Sequence, residues 1–122
     1  RLHVEYSVVV VPGVSSVTAC AAAAGTPLST RNDILAVLPA TLPETTLAER
    51  LASVDAAAII KVGRNLSKVR RVLEHAQLLH CANYVERATM PNQRIVPFSG
   101  LDAPDAPYFS MILVHRRGLA WD

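Results

Sequence analysis

Unpaired backbone donors and small hydroxyl side chains are expected together near residue 15 of this chain. A valine run ends at the turn Pro12-Gly13, because proline cannot donate to a strand ladder and glycine tolerates sharp backbone geometry. Ser15 or Ser16 can cap the helix that follows, and alanines at 21–24 give that helix little bulk. The first N–H groups of a helix lack intrahelical partners, so the pattern predicts a place where a polar ligand comes close.

Two charged residues stand at the ends of apolar runs. Lys61 interrupts the run 56–62, and Glu86 follows the run 82–85. A buried charge is costly unless it is paired, so each side chain needs a partner or an open cleft. Two interpretations remain open: a structural ion pair or a side chain that reaches solvent, or a residue that lines a ligand cleft. Three arginines lie close to these positions in sequence, namely Arg64, Arg87 and Arg94.

Histidine and cysteine positions do not indicate a metal site. The four histidines show no metal-ligand spacing, and neither a Ser-His-Asp order nor a phosphate-binding loop occurs. Cys20 and Cys81 form no CxxC motif. We expect two free thiols, as is usual in the reducing cytoplasm.

Composition limits the class of protein. The 122 residues suffice for one domain, and with 51% apolar but only 5% aromatic residues, small aliphatic side chains must form its core. A net charge of +2 is too small an excess to indicate a nucleic-acid partner. No apolar run approaches the ~20 residues of a membrane-spanning helix, and no signal-peptide pattern is visible.

Strands and helices are predicted to alternate. Strands are expected at 4–11, 34–38, 56–62, 82–85, 94–98 and 108–115. Helices are expected at 16–24, from a capping box at 46–49, and at 66–76, where Arg70 and Arg71 fall on the polar, solvated face. The order predicts an α/β sandwich with a mixed sheet.

Three blocks of sequence, in this order, resemble the tetrapyrrole methylases, which use S-adenosylmethionine. They are VVPGVSS with AAAAGTPL (10–16 and 21–28), IIKVGRN (59–65) and YVERATMPNQRIV (84–96), followed by YFSM (108–111). The last two blocks and the closing run look most like the members that methylate precorrin-2 at C-20 in cobalamin biosynthesis. The resemblance implies transfer of a methyl group from a sulfonium to a ring carbon, which requires no nucleophilic side chain.

The resemblance also implies a domain organisation. The N-terminal domain of the family carries a Gly-rich loop that holds much of the cofactor, and no such loop occurs here. We therefore expect residues 14–122 to be the C-terminal domain and residues 1–13 to be the end of the N-terminal domain with a linker strand. The full enzyme is expected to be a homodimer and this part alone to be inactive.

Site residues follow from the resemblance position by position. Those implied to contact the cofactor S-adenosylmethionine are Ser15, Ser16, Val62 and Ala88. The residues expected to bind the tetrapyrrole substrate are Lys61, Arg64, Glu86 and Arg87, because these charged side chains can line the cleft and the cations among them attract carboxylates. Without the resemblance, Ser16 is an ordinary helix cap and Val62 an ordinary core residue. Two other interpretations stay open: another tetrapyrrole methylase, or a non-catalytic α/β assembly module. The sequence does not indicate whether the substrate carries cobalt.

Overall fold

Three α-helices and five β-strands make up the computed structural model, which describes residues 5–101, 103 and 105–117; helices and strands alternate up to the third strand, and two more strands follow. The helices are α1 Ser16–Ala24, α2 Glu44–Ala52 and α3 Leu66–His75. The strands are β1 Leu35–Pro39, β2 Ala56–Ile60, β3 Ala82–Glu86, β4 Arg94–Pro97 and β5 Ser110–His115. One-turn 3-10 helices cover Gly63–Asn65, Leu79–Cys81 and Phe98–Gly100.

The five strands form one mixed sheet in the order β1-β2-β5-β3-β4. β1 and β2 run parallel, whereas β5 is antiparallel to both of its neighbours, β2 and β3. The carboxyl ends of β1, β2 and β3 therefore meet at one edge, together with the amino end of β5. The predicted α/β fold with a mixed sheet is confirmed.

Successive side chains of the central strands point to opposite faces of the sheet, and both faces are buried. In β2, Ala57 and Ile59 belong to the core cluster that contains Leu47 of α2 and Leu73 of α3. Ala58 belongs to a smaller cluster on the opposite face, together with side chains of α1 such as Cys20. Small alanines in β2 and α1 let that helix pack closely on the sheet.

The predicted first strand is wrong for residues 5–11, while Val4 lies outside the described residues. Residues 5–11 are not in a strand, and the valines at 8–11 are exposed. A strand needs a neighbour to pair with, and none of the described strands pairs with this segment.

The second helix begins before its predicted capping box. Glu44 is its first residue, after Pro43 with φ of −56°. Proline presets a helix start, and a carboxylate in the first turn interacts favourably with the helix dipole. Thr46 consequently lies inside α2, and the prediction that it caps the helix is wrong.

The expectation that Arg70 on the polar face of α3 is only solvated is wrong. Its guanidinium stacks 4.7 Å from the ring centroid of Phe98 and donates to the carbonyls of Phe98 and Leu101. The neighbouring Arg71 forms an exposed ion pair with Glu44 at 3.0 Å. Arg70 therefore ties α3 to the segment after β4.

Cys20 and Cys81 form no disulfide, as predicted, and both are buried. Each lies in a different core cluster: Cys20 belongs to the cluster between α1 and the sheet, and Cys81 to the cluster on the side of α2 and α3. Within the described ranges, no helix has the length and apolarity that crossing a membrane requires.

Candidate functional site

A cleft of about 800 Å³ opens at the edge where the carboxyl ends of β2 and β3 meet. Open α/β sheets generally place ligands outside the carboxyl ends of their strands. Ile60 and Lys61 form one wall, Ala88 and Thr89 another, and Ser16 with Ala19 of α1 cover the side. The volume lies within the usual range of small-molecule sites.

The wall after β2 has an unusual backbone. Lys61 has φ of 57° and Gly63 has φ of 39°, both in the left-handed region. Val62 between them is fully buried in the core beneath α3, and its carbonyl accepts from the N–H of Asn65 at 2.7 Å. Burial of Val62 turns its neighbours, Lys61 and Gly63, toward the cleft.

The wall after β3 repeats this pattern. Arg87 has φ of 51° and Thr89 has φ of 67°. The N–H of Arg87 donates to the carbonyl of Phe109 at 2.6 Å, which joins the end of β3 to the segment before β5. Left-handed conformations are costly for residues other than glycine and cluster at functional sites. Their concentration on two facing walls supports a site at this edge.

The start of α1 faces the cleft from the side. The Oγ of Ser15 accepts from the N–H of Thr18 at 3.3 Å and so caps the helix, whereas Ser16 and Cys20 line the cleft. Burial raises the pKa of the Cys20 thiol, which keeps this group neutral. The predicted helix start is therefore present, with one serine as its cap and the next at the cleft.

A polar network lies behind the wall after β3. The buried hydroxyl of Tyr84 donates to Oε1 of Glu86 at 2.7 Å, and Nη1 of Arg87 donates to Oε2 at 2.6 Å. Burial raises the pKa of Tyr84, and the Glu86 carboxylate raises it further. The network holds the tyrosine as a neutral donor. Neither Glu86 nor Arg87 is among the residues that line the cleft.

The structure thus divides the eight predicted site residues into two groups. Four line one cleft: Ser16, Lys61, Arg64 and Ala88. Four others lie next to it without lining it: Ser15, Val62, Glu86 and Arg87. Glu86 and Arg87 pair with each other, which agrees with the structural interpretation of Glu86.

Sequence reasoning did not place Ser110 and Met111, the first residues of β5, at the site. Ser110 and Met111 line the cleft, as do Tyr108 and Phe109, whose rings pack edge to face at 5.0 Å. The last strand reaches the site because it inserts between β2 and β3, antiparallel to both. No local sequence signal specifies that insertion. Tyr84, by contrast, is a buried packing residue.

Among the residues that the structure describes, the charged side chains that line the cleft are all positive. Lys61 and Arg64 line it, and no Asp, Glu or His among residues 5–101, 103 and 105–117 does. Neither cation forms an ion pair with another described residue. The arrangement can therefore bind an anion beside a mainly apolar ligand. The described residues contain no group of three potential metal ligands.

Known proteins resemble this chain over most of its length. The family model of the Tetrapyrrole (Corrin/Porphyrin) Methylases matches residues 1–102. A precorrin-2 C(20)-methyltransferase from Sinorhizobium sp is 45% identical over 114 residues, which cover 93% of this chain and 46% of the relative. A cobalt-precorrin-2 C(20)-methyltransferase from Salmonella typhimurium is 37% identical over 111 residues, which cover 88% of this chain and 46% of the relative.

A solved structure shares the fold. Uroporphyrin-III C-methyltransferase from Thermus thermophilus, complexed with S-adenyl homocysteine, superposes with a TM-score of 0.58 and 26% identity. The match covers 86% of this chain and 51% of the Thermus chain. This chain therefore spans about half the length of these three proteins. The extent of the family match shows that the chain belongs to the tetrapyrrole methylases.

Proposed function

We propose that this chain is part of an S-adenosylmethionine-dependent methyltransferase that methylates precorrin-2, or its cobalt-containing counterpart, at C-20 in cobalamin biosynthesis. The observation that carries the proposal is the 45% identity to a precorrin-2 C(20)-methyltransferase across 93% of the chain. Because the chain spans 46% of that relative, we further propose that residues 14–122 are the C-terminal domain of a longer enzyme. Residues 1–13 would end the N-terminal domain and form the linker to it.

The described cleft suits the proposed chemistry. The methyl group of a sulfonium is already electrophilic and the macrocycle carbon is electron-rich, so the protein mainly has to align two large partners and exclude water. The cleft supplies apolar walls such as Ile60 and Met111, and no carboxylate or imidazole of the described residues lines it. Such a lining fits binding and orientation better than acid–base catalysis by a side chain.

We propose that the methyl donor S-adenosylmethionine lies between the walls after β2 and β3. Ser16 and Ala88 face this space, and a small Ala88 leaves room for a ring. Val62 would contribute through its backbone, because its side chain is enclosed in the core. Ser15 would act by capping α1 and fixing the position of Ser16. A solved relative complexed with S-adenyl homocysteine supports this assignment of the ligand.

We propose that Lys61 and Arg64 bind carboxylates of the tetrapyrrole. Both cations line the cleft and have no described ion-pair partner. A precorrin carries many carboxylates, so unpaired cations at the rim can attract and orient it. Glu86 and Arg87 belong to the same proposed substrate region, although their side chains engage each other in this structure.

We propose a homodimeric enzyme located in the cytoplasm. Support for association comes from large apolar side chains at the mouth of the cleft, where Tyr108 is 87% and Phe109 57% exposed. The lack of a disulfide between Cys20 and Cys81 suits a reducing compartment. Light scattering of the full-length enzyme would measure the assembly directly.

The decisive experiment incubates the full-length enzyme with methyl-labelled S-adenosylmethionine and precorrin-2. The proposal expects one labelled methyl group, located at C-20 by NMR of the product. Substitution of cobalt-precorrin-2 for precorrin-2 in a parallel reaction assigns the metal state of the substrate. Label at another carbon would assign the chain to a different tetrapyrrole methylase. Transfer by the isolated 122 residues would contradict the proposed domain organisation.

A further inference from the structure

One wall of the cleft is a short loop, residues 87–93, which follows β3 and is called the cleft loop below. Ala88, Thr89 and Met90 of this loop line the cleft. Two of its residues, Arg87 and Thr89, have left-handed backbones. For a β-branched residue such as threonine this conformation is a genuine outlier, so other contacts must hold it.

Gln93 holds the far end of the cleft loop. Its Oε1 accepts from the N–H of Thr89 at 2.7 Å, while its own N–H donates to the carbonyl of Met90 at 3.0 Å. Its side chain is exposed and does not line the cleft. The left-handed residue Thr89 is thus held by a hydrogen bond to the side chain of Gln93, which a ligand in the cleft would not touch.

Glu86 holds the near end. Its carboxylate accepts from Nη1 of Arg87 at 2.6 Å and from the hydroxyl of Tyr84 at 2.7 Å. The Glu86 side chain is only 12% exposed, against 34% for Arg87, so the pair lies within the wall. On β4 the residue opposite Glu86 is a further cation, Arg94.

We propose that Glu86 and Gln93 are positioning residues: they hold the cleft loop in the shape that receives the methyl donor, without contacting it. The inference rests on the function proposed above and adds to it two residues, which act through the side chain of Arg87 and the backbone N–H of Thr89. Two anchors are needed because the loop has two left-handed residues, one beside each anchor. The pairing of Glu86 with Arg87 also accounts for their position outside the cleft lining.

The test measures affinity of the full-length enzyme for S-adenosylhomocysteine by calorimetry. Gln93→Met keeps the side-chain length and removes the amide oxygen that accepts from the Thr89 N–H. We expect affinity to fall about three- to tenfold, the equivalent of one net hydrogen bond, with little change of melting temperature. Gln93→Glu keeps an oxygen acceptor and is expected to restore affinity. Equal affinities in all three proteins, or a loss with both substitutions, would overturn the role of Gln93.

A second pair of variants tests Glu86. Glu86→Gln keeps an acceptor for Tyr84 but removes the charge that binds Arg87, and we expect affinity to fall about threefold or more. Glu49→Gln removes an exposed charge on α2 and serves as the matched control, with no expected change. Equal affinity in Glu86→Gln and the unsubstituted enzyme would overturn the role of Glu86 and leave the proposed function intact. Failure of the unsubstituted enzyme to bind S-adenosylhomocysteine would overturn both.

Discussion

Two adjacent serines at the start of α1 have different surroundings. Ser15 caps the helix through the N–H of Thr18, while Ser16 faces the cleft. Ser15→Ala should therefore lower the free energy of unfolding by about 0.5–2 kcal/mol, the usual cost of losing an N-cap. Ser16→Ala should instead weaken binding of S-adenosylhomocysteine by about 0.5–1.5 kcal/mol, as expected for one net hydrogen bond. Denaturant titration and calorimetry of both variants measure the two effects. A binding loss in Ser15→Ala together with a stability loss in Ser16→Ala would contradict the roles assigned to the two serines.

Lys61 combines a left-handed backbone with a charge that has no described ion-pair partner. Lys61→Met keeps the side-chain length and removes the charge. In the full-length enzyme we expect a higher KM for the tetrapyrrole and a weaker salt dependence, because fewer carboxylates are attracted. Affinity for S-adenosylhomocysteine should change little.

Steady-state kinetics at several salt concentrations provides the measurement for Lys61. Arg50→Met, at an exposed position of α2 away from the cleft, is the matched control. An unchanged KM together with a lower melting temperature would show that Lys61 serves the fold and not the substrate.

Arg70 links α3 to the segment after β4, whereas the sequence predicted only a solvated side chain. It stacks on Phe98 and donates to two carbonyls of the segment after β4. Arg70→Ala should lower the free energy of unfolding by about 1–3 kcal/mol, because those carbonyls lose a charged donor. Arg71→Ala, its neighbour in an exposed ion pair, should cost only about 0–1 kcal/mol. Equal effects in urea titrations of the two variants would contradict the anchoring role of Arg70.

Elements with a strong local pattern were predictable from the sequence. The apolar spacing of Leu66, Val69 and Leu73 placed α3, and Ser15 with Gly25 bounded α1, whose C-cap glycine has φ of 65°. Position within the sheet was not predictable, because the insertion of β5 between β2 and β3 depends on long-range pairing. The residues 5–11 show the same limit, since a run of valines has high strand propensity but forms a strand only beside a partner.

The candidate site was predictable in part for the same reason. Family motifs identified Ser16, Lys61 and Ala88, which the fold brings to one cleft. The pairing of Glu86 with Arg87 depends on a side-chain hydrogen bond that spacing alone does not reveal. Ser110 and Met111 at the start of β5 could not be assigned to the cleft without knowing that β5 lies between β2 and β3.

Within the whole molecule, the carboxylate of Asp33 joins the segment before β1 to the end of β5. Oδ2 of Asp33 accepts from the N–H of Thr30 at 3.0 Å and bonds Nε2 of His115 at 3.0 Å, and it pairs with Arg117. The hydrogen bond from the Thr30 backbone is the largest cause that lowers the pKa of Asp33. Because the folded pKa lies below the unfolded value, the stabilisation is complete above about pH 4 and is lost as the pH falls further.

Asp33→Asn should therefore make the melting temperature depend less on pH in the acid range. Melting temperatures of the unsubstituted protein are expected to fall more steeply below about pH 4 than those of the variant. Above that pH the variant should melt at a lower temperature, because the hydrogen bonds to a charged acceptor are lost. Parallel curves for the two proteins across the acid range would contradict this role of Asp33.

The proposed function requires that the methyl donor binds in the cleft at the carboxyl ends of β2 and β3. A crystal structure of the full-length enzyme with S-adenosylhomocysteine would show where the donor binds. We expect ligand density in van der Waals contact with Ser16 and Ala88, against the walls formed by Ile60 and the cleft loop. Density for the ligand at a different place, with this cleft filled only by solvent, would contradict it.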